Sequence, residues 1–398
     1  MKMNRFCSGI AALAALALVI LSGCQNRTLA EPTTAKLQAT PVPGGSWNVG
    51  VNLNYSQESI WEDTLVGLEF KFEGGQIPVQ NIVVYDLKTR TQKRIIEIPE
   101  GRRADTPAIY ENKIVFAAVD KSEYFRTSKP SKIEPAPNWD IFLFDLETNE
   151  MQQLTTEEHA QTSPRIFGNT VVWLDARNQP MNQYPLPLDI YALDLKTNKE
   201  RRITTSPTVE GYTQLSISGN LVAWTDVRHA DAEVTNHPSN APDYNNEVYI
   251  YDLATNQERR LTTARGNDQY PAIDGKRVVW LRQESYQKAD VFMYDLENEL
   301  ETQISHGGYA YSNPSISGSR IVWTDASSSN GNTNNDVIVN GQLPGSVIVL
   351  FDLTTKKKTL ITPVEAGKVW LWPVIHSNHI VYIWSLPAGS FTYAISIL

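Results

Sequence analysis

The stretch VYIYDLATNQERRLTT, Val248 to Thr263, decides the fold. Its first half alternates apolar and polar residues as a half-buried strand does, an Ala-Thr-Asn turn interrupts it, and a charged strand follows before a Thr pair. Near copies are IVVYDLKTRTQKRI from Ile82, IFLFDLETNEMQQLTT from Ile141, IYALDLKTNKERRITT from Ile190, VFMYDLENELETQIS from Val291 and VIVLFDLTTKKKTLIT from Val347. The six Asp-Leu units place Asp86, Asp145, Asp194, Asp252, Asp295 and Asp352 between 43 and 59 residues apart. That period belongs to propeller blades and is too long for most helical solenoids.

A second piece recurs between these units: PRIFGNTVVWLD from Pro164, LSISGNLVAWTD from Leu215, PAIDGKRVVWL from Pro271 and PSISGSRIVWTD from Pro314. PAIYENKIVF from Pro107 and PVIHSNHIVYI from Pro373 are looser copies. Each reads as a short strand, a two-residue turn and a β-branched strand ending in an aromatic, which is the sequence form of a hairpin. Joined to the Asp-Leu unit, it makes four short antiparallel strands per repeat. Such a sheet is apolar on both faces and is buried only by packing against similar sheets around an axis.

Counting the repeats gives seven blades. SIWEDTLVGLEF from Ser59 opens the first, with Leu68 read at the aromatic position. FTYAISIL from Phe391 ends the last, with Ser396 read in place of the Asp, and the chain stops one strand short. WNVGVNLNY, Trp47 to Tyr55, is predicted to supply the missing outer strand, covering an otherwise open edge. The expected fold is all-β: a seven-bladed propeller over residues 46–398, closed by an N-terminal strand.

With 398 residues, 41% of them hydrophobic, and ten Trp, the chain can bury a large core. A formal net charge of -9 argues against a nucleic-acid partner, which needs clustered Lys and Arg. Lys2 and Arg5 precede an apolar run, Ile10 to Leu21, that is too short to span a bilayer and has the shape of a secretory signal over residues 1–23. The run ends in Leu21-Ser22-Gly23-Cys24, which resembles the bacterial lipobox. By that resemblance Cys24 is lipidated, and the only other Cys, Cys7, leaves with the signal. Residues 24–45, rich in Thr, Ala and Pro, read as a flexible tether; its Gln25–Gly45 stretch reaches at most about 70 Å when extended.

The two recurring pieces together resemble the TolB-like or WD40-like propeller repeats of exported bacterial and archaeal proteins, from Ser59 to Leu398. The resemblance implies the fold and leaves the function open, because the same blades occur in binding proteins, in propeller domains of serine peptidases and in some polysaccharide lyases. TolB carries a separate domain before its propeller. The sequence offers no such domain ahead of Ser59, so the Tol-system role is not carried over.

The Asp of each Asp-Leu unit stands immediately before a turn, where its carboxylate is expected to accept backbone N–H bonds. Asp175, Asp226 and Asp325, each two residues after a Trp, end an inner strand at a loop; they are expected to fix that loop, the alternative being that they line the mouth of the channel. No Gly-x-Ser-x-Gly elbow and no helical region long enough for a hydrolase domain appear, so no catalytic residues are assigned. His159, His229, His237 and His306 fall in loops on one side of the ring without ligand spacing; no metal and no cofactor are expected. The Asn-rich run Ser327–Asp336 has too few carboxylates for a calcium loop.

The strongest functional signal is a difference in loop length. Within a blade the turns between strands one and two and between three and four are tight, so they share a face. The connections from strand two to strand three emerge on the other face and are long in four blades: Lys121 to Trp139, Ala176 to Leu188, Val227 to Asn246 and Ala326 to Ser346. They carry Tyr124, Phe125, Trp139, Tyr184, His229, His237 and Tyr244, rigid aromatics and polar groups suited to recognition. The reading is a monomeric lipoprotein scaffold, anchored outside a bacterial membrane and binding an envelope protein or glycan through this face. An outer membrane is the expected location where the host has one. The second reading is an exported propeller-type polysaccharide lyase or hydrolase with a metal site built from the scattered His residues. Cys24→Ser is expected to release the protein from the membrane fraction or leave the precursor uncleaved, and unchanged fractionation and processing would refute the anchor.

Overall fold

In a computed structural model the chain forms seven antiparallel sheets arranged as the blades of a propeller. The structure describes residues 41–42, 46–49, 59–71, 79–123, 137–178, 188–204, 214–228, 246–285, 288–307, 310, 312–325, 346–362, 370–385 and 391–398. Before the first blade come β1 (Pro41–Val42) and β2 (Ser46–Val49). Blade 1 contains β3 (Ser59–Trp61), β4 (Thr64–Lys71), β5 (Val79–Asp86) and β6 (Thr91–Glu97). Blade 2 contains β7 (Arg102–Tyr110), β8 (Lys113–Asp120), β9 (Asp140–Asp145) and β10 (Met151–Gln153). Blade 3 contains β11 (Gln161–Phe167), β12 (Thr170–Asp175), β13 (Asp189–Asp194) and β14 (Lys199–Arg202). Blade 4 follows with β15 (Ser216–Ser218), β16 (Leu221–Asp226), β17 (Glu247–Asp252) and β18 (Gln257–Arg260). Blade 5 has β19 (Asn267–Asp274), β20 (Arg277–Ser285), β21 (Lys288–Asp295) and β22 (Leu300–Gln303). Blade 6 has β23 (Ser315–Ser317), β24 (Arg320–Asp325), β25 (Val347–Asp352) and β26 (Lys357–Leu360). Blade 7 takes β27 (Trp370–His376), β28 (His379–Ser385) and β29 (Phe391–Ile397) from the C-terminal end of the chain.

The outer strand of blade 7 is β2, which pairs antiparallel with β29 in the register Trp47 to Ile395 and Val49 to Tyr393. The N-terminal strand therefore closes the ring, as the missing-strand count requires. The pairing covers Trp47–Val49, with β1 added outside β2; residues 50–55 of the expected segment lie outside the described residues.

The first strands of successive blades meet around the axis. Ser59 Oγ accepts the Ile109 N–H at 3.0 Å, Ser216 Oγ that of Ile273 at 3.1 Å and Ser315 Oγ that of Ile375 at 3.2 Å. The fourth strands are outermost; all of Lys199–Arg202 is exposed.

Burial follows from the two-faced sheets. Seven apolar clusters occur, one in each seam between neighbouring blades, and residues that alternate along a central strand belong to alternate seams. On β12, Trp173 packs into the seam between blades 2 and 3, while Val172 and Leu174 pack into that between blades 3 and 4. Trp173, Trp224, Trp280, Trp323, Phe116 and Tyr382 hold one equivalent position in six blades, and all are fully buried. In blade 1 that position belongs to Gly67, opposite Val83, and not to Leu68. The reason is the turn: Trp61 pairs with Thr64 across Glu62 and Asp63, and this register sends Leu68 to the other face, into the seam with blade 2. Trp372 of blade 7 packs against the cluster that Gly67 would otherwise serve.

The Asp-Leu unit explains itself in the same register. In all seven blades the backbone N–H of the Leu donates to the carbonyl of the second residue in the preceding hairpin turn: Leu87 to Asp63, Leu146 to Asn112, Leu195 to Asn169, Leu253 to Asn220, Leu296 to Lys276, Leu353 to Ser319 and Leu398 to Asn378. The seventh unit is therefore Ile397-Leu398. Ile397 lies opposite His379 in the Asp position, and Ser396, read there from sequence, instead pairs with Ile380 and meets the Tyr382 hydroxyl at 3.0 Å.

The Asp side chains behave as expected of turn residues. Asp145, Asp194, Asp252, Asp295 and Asp352 each accept two backbone N–H groups, two and three residues on, through one oxygen. At the other end of the blade the first residue of the Thr pair caps the third strand. Thr155, Thr204, Thr262, Ser305 and Thr362 accept the N–H of Ile141, Ile190, Val248, Val291 and Ile348 at 2.8 or 2.9 Å.

Removing the N-terminal strand by starting the chain at Ser56 unpairs the backbone edge of β29, which costs several times the ±0.5 kcal/mol of an ordinary surface change. The expected result is a lowered melting temperature and increased self-association; a truncated protein that melts with the full-length one would exclude this closure.

Candidate functional site: the loop-bearing face

The four long connections leave and rejoin the blades where the sequence places them: between β8 and β9, β12 and β13, β16 and β17, and β24 and β25. The corresponding connection in blade 5 is tight, since β20 and β21 pair as far as Ser285 and Lys288. One face of the ring is thus decorated unevenly. Of the expected binding residues, Tyr124, Phe125, Tyr184, His229, His237 and Tyr244 lie outside the described residues, as do Cys24 and the run Ser327–Asp336.

Trp139 is described, and it sits at a loop root. Its carbonyl accepts the Gln161 N–H at 2.7 Å and its ring packs against the core between blades 2 and 3. His159 and His306 lie in links between blades on this same face. Among the described residues no group of three or more His, Cys, Asp or Glu is placed to hold a metal ion.

Beneath the loops lies a repeated ionic device. In blade 3 the buried Asp175 accepts the Trp173 indole N–H at 2.8 Å and the Arg177 guanidinium at 2.7 to 3.0 Å, and Arg177 also reaches Glu200 at 2.7 Å. Blade 4 repeats it: Trp224 to Asp226 at 3.1 Å, Arg228 to Asp226 at 2.5 Å and Arg228 to Glu258 at 2.6 Å. In each, the guanidinium lies over the aromatic ring of the third strand, Tyr191 at 4.3 Å and Tyr249 at 4.5 Å. Burial works against the positive charge of Arg177 and Arg228, yet the two carboxylates beside each outweigh it and push its pKa up.

Blade 5 reaches the same geometry from different residues. Arg282, within the second strand, stands where blades 3, 4 and 6 have the Asp, and the carboxylate comes from Asp268 on the first. Asp268 accepts the Trp280 indole at 3.0 Å and Arg282 at 2.7 and 2.9 Å; Arg282 lies 4.2 Å from the Phe292 ring and bonds Glu301 at 2.7 Å. Nothing in the Trp-x-Asp motif announces this swap. The detectable signal is the Arg of WLRQ at a position where blades 3, 4 and 6 have Asp.

Blade 6 has a lighter version, in which Lys358 meets Asp325 at 3.2 Å. The three Trp-x-Asp carboxylates thus fix the strand ends where the loops begin, the role expected for them. Further acids hold the opposite strand ends. Asp189 takes Arg202 at 2.8 Å and Asn178 at 3.0 Å, and Glu247 is bonded by Arg260 and Thr262. Burial pushes the pKa of both Glu247 and Asp268 up, against the pull of their guanidinium and hydroxyl partners. Each carboxylate named here has a cationic or hydrogen-bonding partner that ties two strand ends together.

Comparison with known proteins supports the fold and stops there. No family model matches the chain, and no curated protein matches it. Among solved structures, the β-propeller domain of the Trilobed protease from Pyrococcus furiosus is similar over 85% of this chain and 94% of its own, at 12% identity and a TM-score of 0.58. That domain is described as having an open velcro topology, whereas β2 closes the ring here. Acylaminoacyl peptidase from Pyrococcus horikoshii is similar over 83% of this chain at 10% identity and a TM-score of 0.56, and this chain spans 48% of its length. TolB from Acinetobacter baumannii is a more distant likeness, at 14% identity and a TM-score of 0.38 over 84% of this chain and 80% of its own.

Arg228→Met removes the cation from a buried carboxylate and is expected to cost about 3–5 kcal/mol in chemical denaturation. Adding Asp226→Leu recovers part of that loss, because no unpaired charge then remains in the seam. A single substitution that costs less than about 1 kcal/mol would show the ion pair to be incidental to the loop roots.

Proposed function

We propose that this chain is a lipid-anchored, extracytoplasmic β-propeller that binds a cell-envelope protein or glycan through its loop-bearing face, without catalysis. One observation carries the reading: four connections of different length and composition rise from one face of a ring whose blades are otherwise near copies. Their roots are held by buried ion pairs in blades 3 and 4 and by Lys358 in blade 6. A rigid base under variable loops is the arrangement that recognition surfaces use. Aromatics such as Tyr124, Phe125 and Tyr244 supply contact area at low entropic cost, and the Asn, Ser and Pro around them supply polar contacts. The lipobox at Cys24 and the residues ahead of β1, Gln25 to Thr40, would hold the start of the propeller within about 55 Å of a membrane.

Replacing Tyr124, Phe125 and Tyr244 together with Ala is expected to abolish capture of the envelope ligand while the melting temperature stays nearly unchanged. Altering the outer turn at Lys196 to Lys199 leaves capture intact. The reverse pattern would move the site to the other face, and turnover of a glycan by the purified protein would replace binding with catalysis.

A further inference from the structure

The rim of the ring runs, in each blade, from the Asp of the Asp-Leu unit to the end of the outer strand, and its charge changes sign around the circle. On blade 1, Lys88, Arg90, Lys93 and Arg94 stand against Asp86 and Glu97, a net charge of +2. On blade 6, Lys356, Lys357 and Lys358 stand against Asp352, again +2. Blade 5 is the reverse, with Asp295, Glu297, Glu299 and Glu301 and no cation, and blade 2 has only Asp145, Glu147 and Glu150. Between the two basic rims lies blade 7, whose outer segment, residues 41–49, carries no charge. One sector of three consecutive blades is therefore basic in a chain whose formal net charge is -9.

Some of these cations are already engaged. Lys93 meets Asp86 at 2.7 Å, Lys358 meets Asp325 at 3.2 Å, and Arg94 reaches the Leu146 carbonyl at 3.4 Å. Lys88, Lys356 and Lys357 are exposed, and among the described residues their ammonium groups have no partner. Apolar exposure falls in the same sector: four large apolar side chains stand exposed among the described residues, and Ile95, Leu360 and Leu398 belong to blades 1, 6 and 7. Ile95 pairs with Val83, so it lies on the side of blade 1 that faces blade 7. Blade 3 has the other basic rim, and it stands alone. It adjoins acidic blade 2, its Arg201 and Arg202 are turned to the Leu253 carbonyl and to Asp189, and it has none of the exposed apolar side chains.

The chain enters the ring in this sector as well. β1 lies outside β2, with Pro41 opposite Trp47 and Val42 opposite Ser46, so the residues ahead of Pro41 join the molecule at the rim of blade 7. An anchor ahead of them is thereby attached midway between the two basic rims. A lipid chain alone gives weak, reversible membrane attachment, and a basic patch beside it makes the attachment stable.

We propose that the rim of blades 6, 7 and 1 is a docking surface for anionic phospholipid, on which the anchored ring lies edge-on. Lys88, Lys356 and Lys357 meet the headgroup phosphates, and Ile95 and Leu398 lie against the headgroup layer between them. Lying edge-on leaves the loop face clear of the lipid. The proposal takes the membrane-anchored reading as its premise, but the contact is made by the folded rim and needs no acyl chain.

The chain from Gln25 onward holds every strand of the ring and no Cys, so it carries no lipid and accepts single-Cys labels. Vesicles of equal parts phosphatidylglycerol and phosphatidylcholine are expected to sediment it at low salt and release it at high salt, while phosphatidylcholine alone leaves it in solution. Reversing the three unpartnered cations, Lys88→Glu with Lys356→Glu and Lys357→Glu, should weaken binding about a hundredfold. Lys196→Glu with Lys199→Glu on blade 3 should leave it nearly unchanged. A fluorophore on Thr355→Cys of blade 6 should be quenched by nitroxide-labelled lipid, and one on Gln257→Cys of blade 4 should not. Absence of binding to the anionic vesicles, equal binding to the neutral ones, an equal loss from the blade 3 pair, quenching at both labels, or binding as tight to a soluble acidic polysaccharide would each overturn the rim contact. The lipid anchor stands or falls separately, on the fractionation of Cys24→Ser.

Discussion

Everything in this molecule depends on the fact that each of its sheets is apolar on both faces. Val172 and Leu174 point into one seam and Trp173 into the next, so no blade can be stable with either neighbour missing. A stack of such sheets would leave two faces bare, and a ring leaves none. Seven seam cores replace the single core of an ordinary domain, which is how nearly four hundred residues share one architecture.

Polar groups are arranged to serve that packing at both ends of the blades. At the tight-turn end the Asp of six units and the Leu of all seven satisfy the turn through side-chain and backbone bonds, respectively. At the other end buried carboxylates are matched with guanidinium groups, which lie flat on aromatic rings and extend to a second acid at the surface. Such pairs contribute little net stability once desolvation is counted, but a buried acid without its partner is costly, so they fix where a strand stops. Blade 5 reaches the same contact with the acid and base moved to other strands. The constraint is on the contact and not on the motif.

Much of this was legible in the sequence because the repeats are near copies. Blade number, strand order, the ends of all four long connections, and the turn role of Asp145, Asp194, Asp252, Asp295 and Asp352 follow from patterns of period two and from turn chemistry. Two registers were misread, at Leu68 and at Ser396, for one reason. Pattern matching favoured a residue of familiar type, whereas the hydrogen-bonded turn fixes register by counting, and it puts Gly67 and Ile397 at those positions. An aromatic arc at Trp61, Tyr110, Phe167 and His376 was invisible, since its members lie in four different repeats and meet only because each ends an innermost strand. Trp139 was read as a loop residue, and it packs at a seam because its neighbours in space come from blade 3.

The strand that completes blade 7 has a kinetic consequence. Its partner β29 follows all the other strands of the ring, so β2, which precedes every blade, waits for the whole ring before it can pair. Bringing segments more than three hundred residues apart together costs about 5 kcal/mol of chain entropy in the unfolded chain, and packing of blade 7 on blade 1 is what offsets it. Until then the open form exposes the backbone edge of β29, ready to pair with the same edge of another molecule or with that molecule's β2. Folding of this protein is therefore a competition between closing on itself and exchanging strands, and its outcome depends on concentration.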